Sequence, residues 1–264
     1  MISAIVVNYY CHALTACSVK SVLADTPNAQ VIVVDNSADK SEYHALCEIL
    51  PARAKILKTQ ENIGFGGACN LAYTHAVHDW ILLLNPDAYV LEHCVEQLVN
   101  FLLETPKAGA VAPRVYWDSA KTWLLPPSQL PTPLSELNMA LAFRWGKYGE
   151  AVSDKFRRCA LQWNLSKNAV KQKMLSGGLM LLRKSAIVES GGLFDPGFFM
   201  YYEDTDLCQR LQKNGHDLYL LPTAHAVHEW CATQAKNHLS EPSREYYFSK
   251  HYPCSLLLLW GRTI

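Results

Sequence analysis

The amino-acid sequence predicts an α/β fold in which a mostly parallel, Rossmann-like central sheet is flanked by helices. Short apolar runs alternate with amphipathic segments through residues 1–103, and each run has the length of a buried strand. Strands that alternate with helices pair in parallel, because each helix returns the chain to the same end of the sheet. The chain has 264 residues and is 50% hydrophobic, which suits one large domain.

Each predicted element follows from its own pattern. The apolar runs are predicted as strands at residues 2–7, 31–34, 55–57 and 80–84. The segments that alternate with them carry apolar residues at helical spacing and are predicted as helices at residues 15–23, 42–50, 66–77 and 92–103. Later in the chain the pattern predicts a strand at 174–183, a helix at 204–214 and a strand at 217–220.

Residues 116–173 interrupt this alternation. Their sequence, which includes WLLPPSQLPTPLSELNMALAFRWGKYGE, is rich in proline and aromatic residues. We interpret this segment as a variable insertion that shapes a binding cleft. The single domain 1–264 is therefore predicted to consist of residues 1–115, the insertion 116–173 and residues 174–264.

Charge and cysteine content exclude several classes of protein. The 24 basic and 24 acidic residues cancel, so the composition gives no sign of a nucleic-acid partner. The nine cysteines are scattered without a CxxC pair, which predicts reduced core thiols in a cytoplasmic protein. The N-terminus MISAIVVNYY lacks a basic region and a cleavage site, and no apolar run reaches the roughly 18 residues of a membrane-spanning helix. We therefore expect neither secretion nor a membrane span.

Polar residues follow the predicted strands at the edge where α/β proteins bind ligands. These residues are Asn8, Asp35, the segment 62–67 and the segment 85–87. In ENIGFGGACN, Gly64 and its neighbouring glycines allow backbone N–H groups to approach an anion at a helix start, which suits a diphosphate or ribose. The motif follows the third strand and not the first, which argues against a nicotinamide enzyme. The alternative is that the glycines serve only a tight turn.

Three further motifs carry titratable side chains. In LLLNPDAYV, a buried strand delivers Asn85 and Asp87 to its carboxyl end, although a lone aspartate there is also a common helix cap. In FFMYYEDTDLCQRLQKNGHDL, the helical period turns Asp204 toward the cleft, on the face of Cys208 and Leu211. The acidic neighbours Glu203 and Asp206 can simply favour a helix N-terminus. In PTAHAVHEW, the histidines 225 and 228 are either ligands or hydrogen-bonded core residues.

Together these motifs resemble those of a known enzyme family. The segments are AIVVNYY, VIVVDNS, ENIGFGGACN, LLLNPDAYV, LSGGLMLLRKSA, GGLFDPGFFMYYEDTDLCQRLQKNGH, AVHEW and YYFSKHY. They are similar to the inverting family 2 glycosyltransferases of the GT-A fold, in the rhamnosyltransferase-like branch. The likeness runs nearly end to end and is weakest in the insertion 116–173.

The resemblance implies a metal-assisted transfer of a sugar from a nucleoside diphosphate to a hydroxyl group. By motif position, Asp87 and His228 bind Mg²⁺ or Mn²⁺, Asp204 is the catalytic base and Glu203 helps to orient the site. Asn85 replaces the first acid of the family's DxD motif. The residues expected to bind the nucleotide sugar are Asn8, Asp35, Asn62, Gly64, Asn70, Asn85 and Asp87. Acceptor binding is expected at Gly177, Gly178 and Tyr202.

The resemblance also implies the reaction partners and the location. Residues 1–115 bind the nucleotide sugar, with dTDP-rhamnose the favoured donor. Residues 174–264 carry the base and bind a saccharide or polyprenyl-linked acceptor used in surface polysaccharide biosynthesis. The tail 243–264 mixes basic, aromatic and leucine residues, which predicts peripheral contact with the inner face of the cytoplasmic membrane, or simply coverage of the core. The oligomeric state is not predicted.

Three other functions remain open from the sequence. A catalytically inactive sugar-nucleotide-binding module can keep Asp35 and the glycine loop, although Asp87, Asp204 and His228 together argue against it. A sugar nucleotidyltransferase should carry a glycine-rich loop with a basic residue directly after the first strand, where this chain has NYYCHAL. A structural protein with the same fold has no reason to bind a nucleotide.

Overall fold

The computed structural model describes residues 1–126, 128–144, 165–229 and 237–253. Their core is one mixed β-sheet with helices on both faces. The strands are β1 (Ile2–Asn8), β2 (Gln30–Asp35), β3 (Lys55–Lys58), β4 (Trp80–Leu84), β5 (Ala88–Val90), β6 (Ala108–Tyr116), β7 (Val170–Gln172), β8 (Leu179–Arg183) and β9 (Asp217–His228). The helices are α1 (His12–Asp25), α2 (Lys40–Ile49), α3 (Gly64–Tyr73), α4 (Cys94–Glu104), α5 (Pro133–Arg144), α6 (Lys184–Glu189), α7 (Glu203–Lys213) and α8 (Asn237–His251).

The sheet has the strand order β3-β2-β1-β4-β8-β6-β9-β5, and β7 pairs with β9 outside this path. The first four strands of this order run parallel. Strand β8 is antiparallel to β4 and β6, β6 is parallel to β9, and β5 and β7 are antiparallel to β9. This arrangement confirms the predicted α/β class with its Rossmann-like parallel half.

Two hydrophobic layers cover the two faces of the sheet. One layer joins inward residues of the strands to α1 and α4, and the other joins the alternate strand residues to α3, α6 and α7. Strand β1 is buried along its whole length, because its side chains alternate between these two layers. The carboxyl ends of β1, β2 and β4 therefore open onto one edge, and the candidate polar residues lie there.

Several elements differ from the predicted ones. Helix α3 begins at Gly64, and β9 continues to His228, well beyond the predicted 217–220. The pairing of β6 with β9 shifts register after Pro113, which lets β9 pass Pro222 and still reach β5. The insertion 116–173 holds α5 and β7, which its irregular sequence did not predict.

The cysteine prediction needs correction. Cys69, Cys94 and Cys208 are buried, as expected of core thiols, but Cys17 and Cys47 are exposed. The cysteines at 159, 231 and 254 lie outside the described residues.

In the described part of the tail, the structure favours coverage of the core, the second of the two interpretations of this segment. Tyr247 and Phe248 are buried, and the cations of Arg244 and Lys250 form ion pairs with carboxylates of the domain. These residues belong to the folded domain and are not available as a membrane surface. The apolar run 256–260 lies outside the described residues. Among the described helices, none is long and apolar enough to cross a membrane.

Candidate active site

Asp35 lies at the carboxyl end of β2 and is held there by its neighbours. The fully buried Asn8 donates from Nδ2 to Asp35 Oδ1 at 3.3 Å and to Glu42 Oε1 at 3.0 Å. The backbone N–H of Ser37 donates to the same Oδ1 at 3.1 Å. Asp35 Oδ2 is buried and has no hydrogen-bond partner within the described ranges. A buried acceptor of this kind calls for a donor from a ligand. Asn8 therefore positions this carboxylate, because its amide nitrogen donates hydrogen bonds to Asp35 and Glu42.

Two backbone N–H groups of the glycine loop donate hydrogen bonds to acceptors within the protein. Gly64 has φ +76°, and a Cβ there would lie 2.0 Å from the Phe199 carbonyl oxygen. The N–H of Phe65 donates to that carbonyl at 3.1 Å, and the N–H of Gly64 donates to Asn62 Oδ1 at 3.0 Å. Asn36, which the sequence reading missed, donates to Asn62 Oδ1 at 2.8 Å. The expected anion cradle is therefore not formed by these two amides, and Gly64 instead permits a close backbone approach.

The Asn70 side chain contacts the backbone of Phe194. Its Nδ2 donates to the Phe194 carbonyl oxygen at 2.8 Å, and its Oδ1 accepts from the Phe194 N–H at 3.0 Å. Both ends of the amide are therefore engaged with one backbone residue. Asn70 ties α3 to the loop that precedes α7, and its contact with the nucleotide stays a prediction.

Asp87 and His228 meet at the end of the sheet. Strand β5 pairs with β9 so that Ala88 lies opposite His228, and the histidine Nε2 lies 3.0 Å from Asp87 Oδ1. Both side chains are largely buried, with 14% and 12% of their surface exposed. The Asn85 amide nitrogen lies 3.5 Å from the same Nε2. Within the described ranges, no group of three or more His, Cys, Asp or Glu side chains is arranged to hold a metal ion.

His225, the other histidine of this motif, is a core residue. Its Nε2 lies 2.9 Å from the Pro222 carbonyl oxygen, and its ring packs edge-on against Tyr116. Burial lowers its pKa, since the charged imidazolium is poorly solvated there. This environment favours the structural interpretation for His225, in contrast to His228.

Asp204 lies on the first turn of α7 and faces the loop before β8. Its Oδ2 accepts the Gly177 N–H at 2.9 Å, and its Oδ1 accepts the Thr205 N–H at 2.7 Å. A Cβ on Gly177 would lie 3.1 Å from the Asp204 Cβ, whereas a Cβ on Gly178 would lie 3.2 Å from the His228 Cε1. Gly177 and Gly178 thus lie between the Asp204 carboxylate and His228. Because glycine has no side chain, the space between Asp204 and His228 is not filled there.

A cavity of about 350 Å³ opens beside this carboxylate. It is lined by Gln129, Pro131, Met174, Tyr201, Tyr202, Glu203, Asp204 and Thr205. Tyr202 holds a left-handed backbone conformation directly before α7, and its ring packs against Tyr247 of α8. Gln129 and Pro131 of the insertion therefore line the same cavity as Tyr202, for which acceptor contact stays a prediction.

The two neighbouring carboxyl groups of α7 are electrostatically unusual. Burial raises the pKa of Glu203 to about 8, and the charge of Asp204 adds to this effect. Burial also raises the pKa of Asp204, against the opposing hydrogen bonds from Gly177 and Thr205. Perturbed carboxyl groups that line a cavity are typical of active sites.

Comparison with known proteins identifies the family of the chain. A sequence profile described as glycosyl transferase family 2 matches residues 3–165, more than half of the chain. The N-acetylglucosaminyl-diphospho-decaprenol L-rhamnosyltransferase of Mycobacterium tuberculosis (strain CDC 1551 / Oshkosh) is 25% identical over 254 residues, which cover 91% of this chain and 77% of the relative. Rhamnosyltransferase WbbL of Escherichia coli (strain K12) is 29% identical over 215 residues, which cover 78% and 74% of the two chains.

Solved structures share the fold at low sequence identity. GalNAc-T7 with UDP, GalNAc and Mn²⁺ superposes with a TM-score of 0.59 at 15% identity, over 94% of this chain and 50% of that one. The mannosyltransferase PcManGT from Pyrobaculum calidifontis, in complex with GDP-Man and Mn²⁺, gives a TM-score of 0.59 at 16% identity, over 96% and 63%. The present chain thus spans less than two thirds of either structure, and the likeness establishes the GT-A fold.

Proposed function

The chain belongs to glycosyl transferase family 2, and on that premise we propose that it transfers rhamnose from dTDP-rhamnose to a hydroxyl group of a lipid-linked saccharide, with inversion of the anomeric carbon. The names of the curated relatives support the rhamnosyl donor, and one of them names a decaprenol diphosphate acceptor. The observation that carries the proposal is the glycine pair 177–178, which has Asp204 on one side and His228 with its partner Asp87 on the other.

The nucleotide is proposed to bind at the ends of β1 and β2. Asp35 Oδ2 is buried without a partner in the described part of the chain, so it can accept the imide N–H of a thymine or uracil base. Asn8 and Ser37 hold the other oxygen in place. The role of Asn62 and Gly64 is indirect, since they shape the loop that closes this side of the cleft.

The donor set at the sheet edge fits a hard divalent cation. Asp87 supplies a carboxylate and His228 an imidazole, and the diphosphate of the donor would complete the coordination of Mg²⁺ or Mn²⁺. When bound, such an ion supplies positive charge to the departing nucleoside diphosphate. The second coordination partner, His228, is fixed by the pairing of β5 with β9.

Asp204 is proposed as the general base. Its carboxylate borders the cavity, and two backbone N–H groups hold it in one orientation. The attacking hydroxyl oxygen forms the bond to the anomeric carbon while its proton passes to Asp204, and the bond to the diphosphate oxygen breaks. One displacement of this kind inverts the carbon and needs no enzyme nucleophile.

We further infer that the enzyme works at the inner face of the cytoplasmic membrane. The acceptor named for the mycobacterial relative carries a decaprenol chain, which resides in a membrane. A peripheral enzyme would meet the diphosphate-linked saccharide at the membrane surface, where the headgroups lie.

A donor screen by nucleotide release tests the proposed function. With a polyprenyl-linked saccharide and Mn²⁺, dTDP-rhamnose is expected to release nucleotide faster than other nucleoside diphosphate sugars. EDTA is expected to abolish this release, and Asp87→Ala to lower it by at least about tenfold, because charge neutralisation of the leaving group is lost. Asp217→Asn, at the far end of β9, is the matched control and should behave like the wild type.

Two results would contradict the proposal. Binding of the donor without any nucleotide release would identify the inactive binding module instead. Full activity in EDTA would show that the leaving group is stabilised by other means than a cation.

A further inference from the structure

Glu203 and Asp204 are neighbours on α7 with opposite hydrogen-bond environments. The two carboxylate oxygens of Asp204 accept hydrogen bonds from the backbone N–H groups of Gly177 and Thr205. Glu203 is only 5% exposed, and its Oε2 is buried and has no hydrogen-bond partner in the ranges that the structure describes. Backbone N–H donors stabilise the ionised form of a carboxyl group, whereas burial without donors destabilises it. When only one of the two groups is ionised, the negative charge is therefore on Asp204.

The surroundings of Glu203 provide no compensating positive charge among the described residues. From α3, the nearest groups are Gly66, where a Cβ would lie 3.6 Å from the Glu203 Cβ, and the buried thiol of Cys69. Burial raises the pKa of that thiol, so Cys69 supplies no charge to Glu203. From its own helix, Glu203 faces the carboxylate of Asp204, and Phe198 of the preceding loop is apolar. Two neighbouring buried acids without a cation favour a state in which only one of them is ionised.

We propose that Glu203 is a neutral carboxylic acid that donates a hydrogen bond to an oxygen of the acceptor in the cavity and leaves Asp204 as the only anion of the pair. This inference rests on the proposed function, because it assigns the second carboxyl group of the same cavity. Glu203 lines the cavity beside Tyr202 and Asp204, so an acceptor that reaches the base also passes this acid. The donated proton stays on Glu203 throughout, and the proton of the acceptor goes to Asp204.

The proposal has a pH signature. Burial and the neighbouring charge raise the pKa of Glu203 to about 8, so the acid loses its proton as the pH rises through that value. The hydrogen bond to the acceptor is then lost, and a second negative charge appears beside the base. Turnover is expected to fall on the alkaline side for this reason.

Infrared spectroscopy of the protein without substrate tests the protonation directly. The wild type should show a carboxylic acid C=O band at neutral pH that disappears as the pH passes about 8, and Glu203→Gln should lack this band. Glu92→Gln is the matched control, since its side chain is 90% exposed. Absence of the band in the folded wild type, or its survival in Glu203→Gln, would overturn the proposal whether or not a donor has been found.

Kinetics test the hydrogen bond to the acceptor. Glu203→Gln keeps an N–H donor, so transfer should stay within about tenfold of the wild type and lose its alkaline decline. Glu203→Ala removes the donor and should lower transfer by roughly 10- to 100-fold, mostly through the KM for the acceptor. A Gln variant as inactive as Asp204→Asn, or one that keeps the wild-type alkaline decline, would show that the ionised form is required and would overturn the inference while leaving the proposed function intact.

Discussion

Asp204→Asn is expected to lower transfer to the acceptor by at least about 100-fold while donor binding stays unchanged. The amide has nearly the shape of the carboxylate but cannot accept the proton of the attacking hydroxyl. Donor binding should survive because the proposed nucleotide contacts are made by Asp35 and the proposed cation ligands are Asp87 and His228. Acceptor-dependent nucleotide release and equilibrium binding of the donor together check this result.

The structure also predicts how Asp204→Asn affects the stability of the fold. The carboxylate accepts N–H groups from Gly177 and Thr205 on separate oxygens, whereas an asparagine offers only one acceptor oxygen. A loss of about 1 kcal/mol in the free energy of unfolding is therefore expected, too little to unfold the domain. Asp217→Asn should change neither quantity, as its partner is the surface residue Lys171. Activity of Asp204→Asn within a few-fold of the wild type would remove Asp204 from the role of base.

Asp206→Asn is expected to have the largest effect on stability, a loss of roughly 3 kcal/mol in the free energy of unfolding. Asp206 is fully buried, and its Oδ2 accepts from Arg210 Nε at 2.7 Å. Its Oδ1 lies 2.7 Å from both Lys250 Nζ and His251 Nε2 of α8. Removal of the charge leaves these cations without their shared partner, and the contact of α8 with α7 weakens. Denaturant unfolding checks the value, and a loss below about 1 kcal/mol would contradict the account.

Acid unfolding offers an independent check on the same residue. Burial would raise the pKa of Asp206, but hydrogen bonds from His251, Lys250 and Arg210 outweigh it and hold the pKa at about 2. The unfolded value is about 3.9, so the folded pKa is depressed. The resulting stabilisation is present above about pH 4 and is lost as the pH falls toward 2, and it is on the order of 2 to 3 kcal/mol. Asp206→Asn should lack this part of the acid dependence, whereas Asp217→Asn should retain it.

The parallel half of the fold was predictable from the sequence because its strands are continuous apolar runs buried on both faces, as in β1 and β4. Strand β6 was missed because AGAVAPRVY combines small residues with a proline and has no strand-like alternation. Strand β9 was predicted too short because Pro222 interrupts its pattern, whereas the register shift in the pairing with β6 accommodates that proline. Pairing between distant strands decides these elements, and local propensity does not reveal it.

The candidate site was predictable where residue type and strand position sufficed. Asp87 and His228 were both selected from their motifs, although the contact between them spans 141 positions and depends on β5 and β9. The contact of Asn70 with Phe194 was not predicted, because the two residues lie 124 positions apart. Asp206 was interpreted as a helix-start charge because its partner His251 lies 45 positions later in the chain. Local sequence patterns thus identified residues with suitable side chains, whereas contacts between distant residues indicate the role of each side chain.

The anomeric configuration of the product, determined by NMR after reaction of dTDP-rhamnose with a polyprenyl-linked saccharide, tests most directly whether this cavity performs inverting glycosyl transfer with Asp204 as its base. The configuration is expected to be opposite to that of the donor, because a single displacement by the deprotonated hydroxyl inverts the anomeric carbon. Retention of the donor configuration, or the absence of a new glycosidic bond with every nucleoside diphosphate sugar tried in the presence of Mn²⁺, would contradict this mechanism.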